Sequence, residues 1–154
     1  MLSESERNDI LEEIRRAHDR RSASVDALKV VQAHRGYVPD EALADVAELL
    51  GMTPTELDSV ATFYSLIYRR PVGRHVIKVC DSISCWVMEG EALLLELEKR
   101  LGIKAGQTTA DGRFTLIPIA CLGDCDHAPA LMVDDDLHHD LTLEKIDGIL
   151  AGYT

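Results

Sequence analysis

Apolar residues recur at helical spacing through residues 1–70, and β-branched runs appear only after that point. The first helix is predicted to begin at the capping box Ser3-x-x-Glu6, and the fourth at a second capping box, Thr53-Pro-Thr-Glu56. Gly36 and Gly51 are expected to end the second and third helices. We therefore predict a small helical bundle over residues 1–72.

The second half predicts a strand, a helix and a strand in succession. Two β-branched runs, residues 76–79 and 114–119, flank a helix-period segment from about Glu89 to Leu101. Such a βαβ unit makes the two strands parallel and normally adjacent. Pro118 cannot donate a hydrogen bond to a sheet, so the second strand is expected at an edge.

Residues 130–139 then predict a β-hairpin, and Thr142 is expected to cap a final helix. The order βαβ-ββα is that of a thioredoxin-like domain. The fold class is therefore α/β, with a helical bundle over residues 1–72 and a thioredoxin-like domain over residues 73–154. The segment between them, Arg69 to His75, contains proline, glycine and the densest basic charge in the chain.

Composition and net charge argue against several classes of function. The chain of 154 residues has a formal net charge of −11, which argues against binding nucleic acid, because phosphate contacts need a basic surface. We see no apolar run near the ~20 residues of a membrane span and no apolar core of a secretory signal at the N-terminus. The expected location is the cytoplasm, where thiols stay reduced and act as ligands or nucleophiles.

All four cysteines follow the two predicted parallel strands, in Cys80-Asp-Ser-Ile-Ser-Cys85 and Cys121-Leu-Gly-Asp-Cys125. Parallel strands end at the same edge of a sheet, so the two pairs are expected to converge there. Each iron of a [2Fe–2S] cluster takes two thiolates, which suits two facing loops. Structural zinc remains an alternative, and a thiol–disulfide oxidoreductase is disfavoured because it would need a Cys-x-x-Cys pair.

Several acidic and imidazole groups surround the cysteines. Asp81 directly follows Cys80, and Asp124 and Asp126 flank Cys125; negative charge disfavours cluster reduction, so a low potential is expected. His127 resembles half of a Rieske ligand pair, but the other loop has no histidine. We expect it to be a surface or hydrogen-bonding group, and we expect the acidic and histidine residues 134–140 to be solvated on a hairpin tip.

Nucleotide-binding motifs are absent from the sequence: there is no G-x-G-x-x-G before a helix and no P-loop. Electrons are therefore expected to come from another subunit. The aromatic run of residues 62–68 either contributes to that contact or belongs to the bundle core, and core is the favoured interpretation.

Five motifs together resemble the small [2Fe–2S] subunit of bacterial respiratory NADH:quinone oxidoreductase (complex I). They are Val60-Ala-Thr-Phe-Tyr-Ser65, Arg70-Pro-Val-Gly-Arg-His75, Cys80-Asp-Ser-x-x-Cys85, Gly106-Gln-Thr-Thr-x-Asp-Gly-Arg-Phe-Thr115 and Cys121-Leu-Gly-x-Cys125-Asp. The likeness covers nearly the whole chain. It implies a helical bundle followed by a thioredoxin-like domain, and cluster ligation by Cys80, Cys85, Cys121 and Cys125.

The resemblance also implies partners. A larger flavoprotein subunit would hold FMN and the NADH site, with the present cluster near the flavin, and this chain would carry no substrate-binding active site of its own. The complex would place it in a peripheral arm on the cytoplasmic face of the inner membrane. Related subunits of NAD-dependent formate dehydrogenases and NAD-reducing hydrogenases remain the alternative, and a zinc-stabilised assembly module a more distant one. A cis peptide bond before Pro129 is expected from the thioredoxin-like fold.

Overall fold

The computed structural model describes residues 1–154, which form two compact units, Met1–Pro71 and Val72–Thr154. The first unit contains helices α1 (Glu4–Arg16), α2 (Ser24–Arg35), α3 (Asp40–Leu50) and α4 (Pro54–Phe63). The second contains β1 (His75–Cys80), α5 (Ile83–Val87), α6 (Gly90–Leu101), β2 (Phe114–Ile119), β3 (Leu131–Val133), β4 (Asp136–His138) and α7 (Lys145–Ala151). Whether the units are domains that fold independently, with the boundary at residues 72 and 73, stays a prediction.

Both predicted capping boxes begin helices of the first unit. The Ser3 hydroxyl accepts a hydrogen bond from the Glu6 N–H while the Glu6 carboxylate accepts one from the Ser3 N–H, and Thr53 and Glu56 repeat this arrangement at α4. Gly36 and Gly51 end α2 and α3 in the left-handed conformation, which glycine adopts without a Cβ clash. The helix ends are therefore fixed by local sequence.

One apolar core joins these helices. Its largest fully buried side chains come from all four of them and from the turn before α3: Ile10, Leu28, Val31, Val38, Leu50 and Leu57. The aromatic run after α4 departs from the favoured prediction. Phe63 is 80% exposed and Tyr64 is 46% exposed, so assigning them to the core was wrong, whereas Ile67 is buried. Phe63, the last residue of α4, lies two positions after the buried Ala61, about 200° around the helix and so on the opposite face, and Tyr64 follows the end of the helix.

A buried ion pair ties α1 to α2. The Glu6 side chain is only 3% exposed, and it accepts hydrogen bonds from Nε and Nη2 of Arg35, the second at 2.8 Å. The Arg35 guanidinium, helped by hydrogen bonds from Ser3, lowers the pKa of the Glu6 carboxyl to about 2 despite its burial. The Glu6 carboxyl is therefore ionised at neutral pH and stays ionised below the pH at which an ordinary glutamate takes up a proton.

Glu6→Gln is expected to destabilise the first unit by about 1–3 kcal/mol, because it removes the buried carboxylate that pairs with Arg35 and leaves only the exposed Glu41 carboxylate, 3.4 Å away, as its acidic partner. The folded pKa lies below the unfolded one, so the pair's contribution is complete above about pH 4.5 and fades as the pH falls towards 2. Urea unfolding followed by circular dichroism at pH 7 and pH 3 measures both effects. Glu4→Gln, an exposed change in the same turn, is the control, and equal midpoints for the two variants at pH 7 would contradict the argument.

The second unit is built on a four-stranded sheet in the order β2-β1-β3-β4. Strands β1 and β2 are parallel, in register from His75 opposite Phe114 to Cys80 opposite Ile119, whereas β3 runs antiparallel to β1 and pairs with β4. The predicted βαβ unit, hairpin and edge position of Pro118 are confirmed. The core between sheet and helices contains Ile77, Val79, Leu93, Leu97, Leu116, Val133 and Ile146.

Two helices differ from the prediction. The short helix α5 lies where an irregular loop was expected, and α7 begins at Lys145 rather than after a Thr142 cap. The expected cis peptide bond before Pro129 is present. None of the helices combines the length and apolar character needed to cross a bilayer.

Candidate metal centre

The two cysteine pairs follow the ends of the parallel strands. Cys80 is the last residue of β1 and lies opposite Ile119, the last residue of β2. Cys121 follows two residues after Ile119. Cys85 is carried by α5, and Cys125 begins a short 3-10 turn that ends at His127. The four thiols therefore lie at one edge of the sheet, because β1 and β2 are parallel and end on the same side.

The first pair is enclosed. Cys80 and Cys85 are buried and pack against Ala128 and Ala130. Burial, followed by the hydrogen bond with Cys80, raises the pKa of the Cys85 thiol to about 11, while the Ala130 backbone N–H opposes this by donating to its sulfur. A backbone donor aimed at a sulfur is ready to stabilise that sulfur once a metal replaces its proton.

The second pair lies at the surface. The Cys121 and Cys125 sulfurs are 3.2 Å apart, and the Gly123 N–H donates to Cys121 Sγ at 3.2 Å. Gly123 has a φ of +89°, a conformation that favours glycine and turns its N–H towards the sulfur. Hydrogen bonding between the two thiols lowers the pKa of Cys121 and raises that of Cys125.

The two pairs are close enough to influence each other. The charge that Cys125 carries when ionised contributes to the raised pKa of Cys85, and a hydrogen bond from the Ser84 side chain to Cys125 partly offsets the rise in the pKa of Cys125. All four cysteines are free thiols and none forms a disulfide. Four reduced sulfurs in two facing pairs, with backbone N–H donors and two buried members, form a donor set that fits a [2Fe–2S] cluster.

His127 pairs one of its ring nitrogens with a carboxylate and not with a cysteine. Its Nδ1 lies 3.0 Å from Oδ2 of Asp140, whose carboxylate raises the pKa of His127. It is hydrogen-bonded, as expected. Part of the acidic segment is not simply solvated, however: the Asp134 carboxylate hydrogen bonds with His75 Nδ1 at 2.7 Å and the Val76 N–H at 2.8 Å, so that expectation was wrong for Asp134.

Sequence reasoning missed two residues that shape the site. Gly90, the first residue of α6, packs so tightly on α5 that a Cβ there would lie 2.6 Å from the Cys85 carbonyl oxygen. Ala130 supplies the N–H that reaches Cys85 and a carbonyl that accepts from Cys80. A glycine beginning a helix immediately after the cysteine loop was the available signal for the first; backbone donors such as Ala130 leave no signal in the sequence.

Comparison with known proteins agrees with this geometry. The family model described as thioredoxin-like [2Fe–2S] ferredoxin matches residues 10–154. One of the NADH-quinone oxidoreductase subunits of Pseudomonas aeruginosa is 52% identical over 99% of this chain and 92% of its own length. The corresponding protein of Escherichia coli K12 is 50% identical with the same coverage.

A solved structure gives independent support. The air-oxidised NAD+-reducing [NiFe]-hydrogenase aligns with 80% of this chain at a TM-score of 0.67 and 27% identity, although the alignment spans only 22% of the hydrogenase chain. The predicted cofactor is confirmed at the level of the family, whose members carry a [2Fe–2S] cluster. A matched family model over almost the whole chain, together with relatives at half identity, shows that the protein belongs to the thioredoxin-like [2Fe–2S] ferredoxin family.

Proposed function

We propose that Cys80, Cys85, Cys121 and Cys125 hold one [2Fe–2S] cluster, and that this chain is the small electron-transfer subunit of NADH:quinone oxidoreductase. The observation that carries the proposal is the meeting of two free thiol pairs at the ends of adjacent parallel strands. Two relatives that are 50% and 52% identical to this chain over 99% of its length are named as subunits of that enzyme, which supports membership of the same complex.

The cluster supplies one-electron chemistry when bound. The protein's contribution is to hold four thiolates, to keep Cys80 and Cys85 from water, and to donate N–H groups from Gly123 and Ala130 to the sulfurs. Cys121 and Cys125 are exposed, so a partner's cofactor is able to approach this side of the site. Burial on one side and exposure on the other suit a carrier that exchanges electrons with a protein partner.

The partner in this proposal is a flavoprotein subunit that holds FMN and the NADH site, and the assembled complex lies on the cytoplasmic face of the inner membrane. A corresponding subunit of an NAD-reducing hydrogenase is the second candidate, because the hydrogenase chain shares the fold at 27% identity. The higher identity to quinone-linked relatives favours the first assembly.

Anaerobic purification tests the proposal directly. The expected product is red-brown and, after reduction with dithionite, gives the electron paramagnetic resonance signal of one [2Fe–2S] centre. Colourless protein containing stoichiometric zinc would support the assembly module instead, and protein with neither metal would overturn both. Co-purification with a flavoprotein and NADH-dependent quinone reduction would separate the respiratory assembly from the hydrogenase one.

Asp81→Asn is expected to raise the reduction potential of the cluster by on the order of tens of millivolts. Asp81 is exposed and directly follows Cys80, and removing a nearby unit charge in a high-dielectric setting changes the energy of reduction by about 0.5–1 kcal/mol. Redox titration followed by electron paramagnetic resonance measures the shift. Asp135→Asn, which removes another exposed charge, in the turn between β3 and β4, is the control. A potential unchanged or lowered by Asp81→Asn would refute the electrostatic argument.

A further inference from the structure

A second group of metal-binding side chains lies beside the exposed cysteines, and the proposed function does not use it. Asp124, His127 and His139 each offer one ligand atom, and the three atoms lie within 4.8 Å of one another. Two imidazole nitrogens and a carboxylate oxygen are donors that suit Zn²⁺ and related divalent transition ions.

Backbone hydrogen bonds fix the segments that carry these residues. The Asp140 N–H donates to the His127 carbonyl at 2.8 Å, and the Leu141 N–H donates to the Pro129 carbonyl at 3.2 Å. The His127 N–H in turn donates to the Asp124 carbonyl at 3.2 Å. The three candidate ligands therefore converge because their backbones are tied together, and not only because long exposed side chains happen to meet.

One oxygen of the group is left without a partner. Asp124 Oδ2 is shielded from solvent and accepts no hydrogen bond, and the nearest histidine nitrogen, Nδ1 of His139, is 3.6 Å away. A buried carboxylate oxygen without a donor is costly and rare in folded proteins. A bound cation at this place would satisfy it.

The histidines are arranged as metal ligands usually are. Oδ2 of Asp140 lies 3.0 Å from Nδ1 of His127 and 3.4 Å from Nδ1 of His139, and a carboxylate beside an imidazole commonly orients a coordinating histidine. The His127 and His139 rings meet edge to face with centroids 4.8 Å apart. Asp126, whose Oδ2 is 3.7 Å from His127 Nε2, adds negative charge beside this ring.

We propose that Asp124, His127 and His139 bind one divalent transition ion of the zinc class, separately from the four cysteines. Asp140 acts as the positioning residue for His127, and water completes the coordination. Ligands of a tetrahedral ion with bonds of about 2.0–2.1 Å lie roughly 3.3 Å apart, so the side chains close inwards on binding. Both histidines are about half exposed and free to make this adjustment.

Zinc titration of the anaerobic, cluster-loaded protein tests the site. Calorimetry is expected to find one Zn²⁺ per chain without loss of the cluster's visible absorption. His139→Gln is expected to weaken the affinity at least tenfold. His18→Gln, which changes a fully exposed histidine of the other unit, is the matched control and is expected to bind as the parent does.

Zinc-edge X-ray absorption of the unmodified loaded protein gives a second readout that does not depend on a variant folding. Nitrogen and oxygen neighbours at about 2.0–2.1 Å support the site, whereas sulfur neighbours at about 2.3 Å mean that zinc has entered the cysteine site and overturn it. Equal affinity of His139→Gln and the parent, or the absence of any bound zinc, also overturns it.

Discussion

Cys85→Ala is expected to abolish the visible absorption and the electron paramagnetic resonance signal of the purified protein. In the proposed site each iron takes two thiolates, so removing one leaves an iron without a full ligand set. Alanine, unlike serine, offers no oxygen that might replace the sulfur. Cys85 lies in the enclosed pair, where water has little access to fill the vacated position.

The loss must be separated from simple misfolding. The pKa of the Cys85 thiol is raised by burial, so without metal this residue is a neutral, buried group that alanine replaces with little change of volume. Cys85→Ala is therefore expected to melt at the same temperature as the parent protein stripped of its cluster, and below the loaded parent, since metal binding contributes directly to folding stability. Ser59→Ala on the exposed face of α4 is the control and should retain the full spectrum. A coloured Cys85→Ala protein with parental cluster content would remove this residue from the ligand set.

Sequence reasoning was most accurate where local chemistry decides the structure. The capping boxes at Ser3 and Thr53 satisfy free helix N–H groups within four residues, and their effect does not depend on the rest of the fold. The parallel pairing of β1 and β2 was predictable for a different reason: a helix between two β-branched runs permits little else. Together these placed the four cysteines at one edge.

The predictions that were wrong concern segments whose structure depends on tertiary contacts. Helix α5 has five residues, too few to show a helical period, and its Ser82 N-cap side chain makes no capping hydrogen bond. Cys85 is the buried residue of this helix. Phe63 and Tyr64 look like core residues by composition, but they fall at the end of α4, where the buried face of the helix stops. The hydrophobicity of these residues alone does not show whether they pack in the core or remain exposed.

Gly90→Ala is expected to destabilise the second unit by about 1–3 kcal/mol and to lower its cluster content. The added Cβ would lie 2.6 Å from the carbonyl oxygen and 2.9 Å from the carbonyl carbon of Cys85. Both atoms are backbone, so relief requires moving α5 away from α6 and with it the Cys85 sulfur. The change reaches the proposed site without altering a ligand.

Gly148→Ala provides the matched control, because it makes the same substitution inside α7, where no atom lies within 4 Å of the added methyl group. Alanine favours helix over glycine by about 0.8–1 kcal/mol, so this variant is expected to be stabilised while Gly90→Ala is weakened. Thermal unfolding and iron content per chain, measured on both variants after identical anaerobic preparation, distinguish close packing from a general effect of alanine. If Gly90→Ala kept parental stability and iron content, the tight contact between α6 and Cys85 would not be what positions that sulfur.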